Sequence, residues 1–241
     1  MQGKIRIGTA GWSIPKGCAG AFPADGSSLE RYAQRFDAAE INTTFYRSHR
    51  PATYARWAAS VPDGFRFSVK LPREITHKRK LADFAEPLDA FLAEIAVLGD
   101  RLGPLLVQLP PSLAYDGATA TTFFAALRER FAGSLVIEPR HASWFADPGD
   151  ALLTEHRIAR VVADPAPVPG AEEPGGWPGI VYRRLHGSPD MYFSAYSEDA
   201  LTETAALLRA DAALAAESWC ILDNTGRGAA CENALGILQQ L

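Results

Sequence analysis

The 241-residue chain is poor in cysteine: Cys18, Cys220 and Cys231 are widely separated, odd in number and form no CxxC pair. That argues against a disulfide framework or a thiolate zinc site and fits a reducing compartment. Basic charge is not in excess either. The formal net charge is −4, which argues against a protein that coats nucleic acid with its whole surface. No apolar run approaches the length that crosses a bilayer, and the opening MQGKIRIGTAG lacks the basic and apolar regions of a secretory leader. A cytoplasmic location without a membrane partner is therefore expected. Linker-like composition shifts, internal repeats and low-complexity runs are also missing. With 47% hydrophobic residues the chain can bury a sizeable core, and one domain over 1–241 is expected.

What is present is an alternation of short apolar strands and longer helical stretches. Strands are predicted at 4–9, 37–42, 65–70, 104–109, 134–138, 158–164, 180–186 and 218–224. Helices are predicted around 27–35, 51–60, 86–101, 118–130, 149–156, 198–216 and 228–240. Leu88, Phe91, Leu92, Ile95 and Leu98 repeat at i, i+3, i+4 and i+7, the spacing of one apolar helix face. Residues 165–179, PAPVPGAEEPGGWPG, are too rich in Pro and Gly for a helix, so the sixth crossover is expected to be an irregular loop. Eight strands with crossovers predict an α/β protein, a single (β/α)8 TIM barrel. An open doubly wound sheet would carry a phosphate fingerprint such as GxGxxG in its first turn, where this chain has GTAGW.

Side chains alternate along a strand, so the last inward position can be sought by parity. On one parity the strands end in Glu40 and Asn42, Lys70, Gln108, Glu138, Asp164, Arg184 and His186, and Asn224. Barrels fill their interiors mainly with bulky apolar residues, so a polar crown at the C-terminal strand ends alone reads as a ligand site. Mutual pairing, such as Glu138 with Arg140 or Arg184, is the competing structural explanation.

These strand ends carry a resemblance. GTAGW (8–12), EINTTFY (40–46), FRFSVKLPREITH (65–77), LVQLPPS (106–112), IEPRHASW (137–144), RRLHG (183–187) and DNTGRGAACENA (223–234) together resemble the YecE-like proteins, designated domain of unknown function 72. The likeness runs over essentially the whole chain. It implies a TIM barrel and no assigned chemistry. The loop after the first GW, SIPKGCAGAFPADG, and Pro139 depart from the family's usual aromatic or larger apolar residues.

The residues narrow the chemistry. HxH, HExxH and GxSxG are absent, and no cysteine sits beside a histidine. Glu40, Glu138, Asp164, His186 and His141 could ligate a metal, but Lys70, Arg140 and Arg184 on the same rim oppose a divalent cation, so neither metal nor cofactor is expected. Acid–base work by Glu138 and His186 fits better, with Lys70 and Arg184 holding developing negative charge. Glu40, Asn42, Gln108, Arg140, Asp164, Arg184 and Asn224 are expected to contact substrate. Tyr46 and Trp144, with Trp12, could form an aromatic wall or simply cap the barrel. The loops HGSP and NTGRG suggest an anion site at Gly187, Gly226, Arg227 and Gly228, where the second runs into a helix. A small anionic ligand, phosphorylated or sugar-like, is the expected partner of an enzyme. Nucleic acid drawn in by the basic loop KLPREITHKRK (70–80) is the alternative, and a ligand-binding module without turnover is a third.

Overall fold

The structure is a computed structural model that describes residues 3–241. Its strands are β1 (Lys4–Thr9), β2 (Ala38–Ile41), β3 (Arg66–Lys70), β4 (Leu102–Gln108), β5 (Leu135–Glu138), β6 (Ile158–Arg160), β7 (Val162–Asp164), β8 (Gly175–Gly176), β9 (Ile180–Leu185) and β10 (Glu217–Leu222). Between them lie α1 (Ser28–Tyr32), α2 (Pro51–Ala59), α3 (Ala85–Ile95), α4 (Gly117–Arg130), α5 (Asp147–Glu155), α6 (Glu198–Leu214) and α7 (Ala229–Gln240).

Local chemistry starts these helices where the sequence signals it. Ser27 and Glu30 form a reciprocal capping box on α1, and Pro51 opens α2 at a position where its missing N–H costs nothing. Asp116 and Ser197 accept amide hydrogen bonds from Thr119 and Ala200 to cap α4 and α6. The helix expected over 86–101 stops as an α-helix at Ile95. Its continuation, Ala96–Arg101, is a 3-10 turn broken at Gly99, whose φ of 52° and ψ of −131° no helix accommodates. The sixth crossover carries no helix, as its composition predicts. It contributes instead the two-residue β8, antiparallel to β6.

The expected TIM barrel is met in part. Strand pairing is parallel apart from β8, and the βα order is that of a TIM-barrel-like fold. The sheet is not closed. It comprises a four-stranded sheet, β1-β10-β9-β7, and a six-stranded one, β2-β3-β4-β5-β6-β8. One seam falls within the strand predicted as 158–164: β6 pairs with β5, β7 pairs with β9, and Val161 is the hinge between them. At the other seam, β1 and β2 share only the bridge of Ala10 with Glu40.

Two apolar layers result. Ala38, Leu106, Val136, Tyr182, Trp219 and Ile221 pack inside the ring of strands, with Tyr182 and Trp219 stacked at 5.8 Å. Their strand neighbours Ala39, Leu105, Val107, Ile137, Cys220 and Leu222 face the helices. At the seam, Gly8 lets β1 approach β2: a Cβ there would lie 2.1 Å from the Ala38 carbonyl oxygen. Gly8→Ala is expected to cost about 1–3 kcal/mol by overpacking, visible as a shifted urea midpoint at unchanged slope. An unchanged midpoint would mean that the seam can widen freely.

Candidate functional site

Above the inner apolar layer, at the C-terminal strand ends, lies an ionic layer centred on Arg184. This side chain is fully buried and donates to three carboxylates. Nε and Nη2 grip Glu40 at 3.1 and 2.7 Å, Nη1 meets Glu138 Oε2 at 2.6 Å, and Nη2 also meets Asp223 at 2.9 Å. Tyr182 hydroxyl, 3.0 Å from Glu40 and 2.7 Å from Ser68 Oγ, ties β9 to β2 and β3 across the interior. Glu138 Oε1 accepts from Gln108 Nε2 at 3.0 Å and from Arg140 Nη2 at 3.0 Å and Nε at 3.2 Å. Strand parity brings these residues together because β2, β3, β4, β5 and β9 each carry an inward polar side chain at the last or next-to-last position.

His186 sits between two of the carboxylates. Nδ1 lies 3.2 Å from Asp223 Oδ2 and Nε2 lies 3.3 Å from Glu138 Oε1, the latter an ion-pair contact rather than an aligned hydrogen bond. Burial alone would raise the carboxyl pKa of Glu138, but Arg184, then His186 and Arg140, hold it well below the usual range. Asp223 is likewise lowered: burial opposes ionisation, and Arg184 and His186 overcome it. Burial pushes His186 down, yet Glu138 and then Asp223 leave it raised. With anions beside both ring nitrogens, a neutral tautomer would aim a lone pair at a carboxylate. His186 is therefore the imidazolium.

Charges then balance without Lys70. Glu40, Glu138 and Asp223 oppose Arg184, Arg140 and His186. Lys70 is one cation more, 5% exposed, and its ammonium makes no hydrogen bond or ion pair among the described residues. Its neighbour is the Phe45 ring, whose centroid lies 4.3 Å from Nζ. Burial, helped by Arg184, pulls its pKa down to about 8 against the attraction of the carboxylates. His77, edge-on to Phe45 at 4.8 Å, is driven down to about 4 by burial and by Lys70, Arg140 and Arg73. The outer rim at this point is electropositive.

Of the residues singled out from sequence, Glu40, Lys70, Gln108, Glu138, Arg184 and His186 belong to this layer, with half-buried Arg140 at its edge. Two expectations from parity, Asp164 and Asn224, are corrected, and of the two alternatives for Trp144 the cap holds. Asp164 is exposed and accepts from the Tyr196 hydroxyl, on the side of β7 that faces α6. Asn224 points into the loops, donating to Ser194 O and Asn233 Oδ1. Trp144 is buried, with Nε1 on Leu113 O and its ring edge-on to Tyr115, so it caps the core and walls no ligand site.

Tyr46 is 65% exposed and, with Asn42, lines a cleft of about 300 Å³ that borders the layer at Glu40 and also contains Trp12, His49 and Trp57. The proposed amide cradle is also corrected: Gly187 N–H already donates to Tyr196, Gly226 N–H to Tyr192 O and Gly228 N–H to Thr225 O. Arg227 is exposed, its guanidinium 5.7 Å from the Phe193 ring. His141 braces the turn before Trp144, accepting from Ser143 N at 3.2 Å.

Asp223 is the member that parity missed. In ESWCILDN nearly every side chain is buried on one face or the other, so no polar alternation says whether Asp223 or Asn224 faces inward. Glu138 is 1% exposed, and its oxygens accept from Arg184 on one side and from Gln108 and Arg140 on the other, so this buried carboxylate offers a substrate no open approach.

Known proteins share this arrangement's chain and fold. The sequence profile described as "Protein of unknown function DUF72" matches residues 6–241. The chain is 32% identical over 174 residues to the UPF0759 protein YecE of Escherichia coli K12, a match spanning 69% of this chain and 61% of that protein. The UPF0759 protein YunF of Bacillus subtilis is 26% identical over 152 residues, 60% of this chain and 53% of that one. Among solved structures, a DUF72 family protein from Enterococcus faecalis superimposes with a TM-score of 0.83 at 23% identity, over 98% of this chain and 95% of that one. A DUF72 family protein from Thermotoga maritima does so with 0.79 at 25% identity, over 98% of both chains.

Proposed function

The chain belongs to the DUF72 family, and we propose that its C-terminal rim binds a small anionic substrate and acts on it by metal-independent acid–base chemistry, with Lys70 as the proton-exchanging group. The observation that carries this reading is the surplus cation: a nearly buried Lys70 without an anionic partner, beside an ionic layer already balanced. An anion arriving at Lys70 would supply the missing charge, and a phosphorylated or sugar-acid ligand has it. The carboxylates do not favour a metal, because their oxygens already serve guanidinium and imidazolium groups. Arg184, Glu40, Glu138 and Asp223 would hold the rim rigid, and Arg140, whose Nη1 makes no hydrogen bond among the described residues, would orient the anion.

Nucleic-acid binding through residues 70–80 is less well supported, since Lys78 and Arg79 both pair with Glu74, at 2.8 and 3.2 Å. Thermal shift with inorganic phosphate, sugar phosphates, 2-oxo acids and short DNA and RNA duplexes separates the readings. At about 100 Kd a small anion is expected to add ~2.7 kcal/mol, or roughly 5–10 °C for a chain of this size. Lys70→Met should lose that increment while keeping the unliganded melting temperature within a few degrees. Stabilisation by duplexes alone would replace the enzyme reading, and binding without product would make the protein a ligand-binding module.

A further inference from the structure

We propose that Lys70 is a nucleophile that forms an imine with the carbonyl carbon of a small anionic aldehyde or 2-oxo acid, whose charge is met by Arg140. The inference rests on the anion-site reading and names the substrate class it would take. Among the lysines, Lys70 alone is buried: Lys4 pairs with Asp37, Lys78 with Glu74, and Lys16 and Lys80 stand in solvent. Its amine packs on the Phe45 face and makes no hydrogen bond or carboxylate contact among the described residues, so the neutral form keeps its lone pair for a ligand. A carboxylate beside it would hold the proton on; here the three carboxylates are drawn to Arg184 instead.

Arg140 adds directionality. Its Nε and one terminal nitrogen are spent on Glu138 and the Tyr192 hydroxyl, and the other terminal nitrogen keeps its N–H groups for a ligand. The step balances with no oxidant. The neutral amine adds to the carbonyl carbon, and the carbonyl oxygen takes a proton to give a carbinolamine. The hydroxyl then leaves as water, the amine loses its second proton, and a C=N bond remains. With an amine pKa near 8, the reactive neutral form at neutral pH is on the order of 100-fold more abundant than for an exposed lysine.

Borohydride trapping tests this. The full chain is incubated with glyoxylate or pyruvate, reduced, and peptide-mapped by mass spectrometry. One reduced adduct per chain is expected at Lys70, at least about tenfold above Lys4, Lys16, Lys78 and Lys80. Labelling should rise with pH through a midpoint near 8 and be suppressed by inorganic phosphate. Acetone, which lacks the charge, should label Lys70 at least about tenfold less. Lys70→Arg, which keeps the charge, should reduce total labelling to the level of the exposed lysines. Labelling by both probes spread evenly over the lysines would overturn the imine. If phosphate still stabilises the wild type and not Lys70→Met, the anion-site reading survives that failure; if phosphate does nothing, both fall.

Discussion

Arg184→Met is expected to destabilise the protein by about 3–5 kcal/mol, a large fraction of a domain's usual stability. The guanidinium has no exposed surface and makes contacts to Glu40, Glu138 and Asp223 from three different strand ends. Methionine fills the space and leaves three carboxylates facing Arg140 and His186 alone. The pH dependence should steepen. In the native protein Glu138 and Asp223 have lowered pKa values, so their contribution is present above the unfolded values near 4 and is lost as pH falls through the folded ones. His186, raised, contributes fully below its unfolded value near 6.5 and loses that contribution as pH rises through the folded one. Without Arg184 the crowded carboxylates should bind protons more tightly folded than unfolded, so the variant should gain stability between pH 8 and pH 5. Urea titrations at both pH values check this. A loss below about 1 kcal/mol, or a gain towards pH 5 no larger than that of the wild type, would mean that the layer does not depend on Arg184.

Much of this site is legible in sequence, for a reason that also limits the reading. On β2, β3 and β4 the strand ends set a polar residue between apolar ones, as Glu40 follows Ala39, and Lys70 follows Val69. Burial of both sheet faces erases that contrast elsewhere. On β10 the run Ser218–Leu222 is wholly buried, Trp219 turning inward and Cys220 outward, so parity had to be guessed and Asp223 was lost to Asn224. On the sixth strand the break at Val161 shifts the strand's partner, a register event with no local signal, and Asp164 comes out on the helix side. Closure of the strands into a ring is not legible for the same reason. Eight strands with crossovers suggest it, but hydrogen bonding across the two seams depends on approach distances that composition does not carry. The loop glycines illustrate a different limit. Gly226 and Gly228 do shape a tight turn, with φ of 82° at Gly228, yet their amides are spent on that turn rather than offered to an anion.

Glu138→Gln decides what the stretch IEPRH is for. Glu138 receives only donors: Arg184 Nη1 on one oxygen, and Gln108 and Arg140 on the other with His186 Nε2 nearby. A glutamine amide must turn its NH2 towards one of these sets, placing donor against donor in a site with 1% exposure. It also removes the charge that does most to keep His186 protonated. A loss of about 3 kcal/mol is expected, or roughly 6–12 °C in melting temperature, with the His186 imidazole titrating at lower pH by NMR. The outer rim becomes more cationic, since Glu138 also attracts Lys70. At a temperature where the variant is folded, phosphate should therefore stabilise it at least as much as the wild type. A catalytic carboxylate makes the reverse forecast: an unchanged melting temperature with turnover abolished on whichever anion proves to be the substrate. The buried contacts of Glu138 favour the first outcome, in which the charges that end β5 hold the rim in shape so that Lys70, two strands away on β3, can meet the ligand.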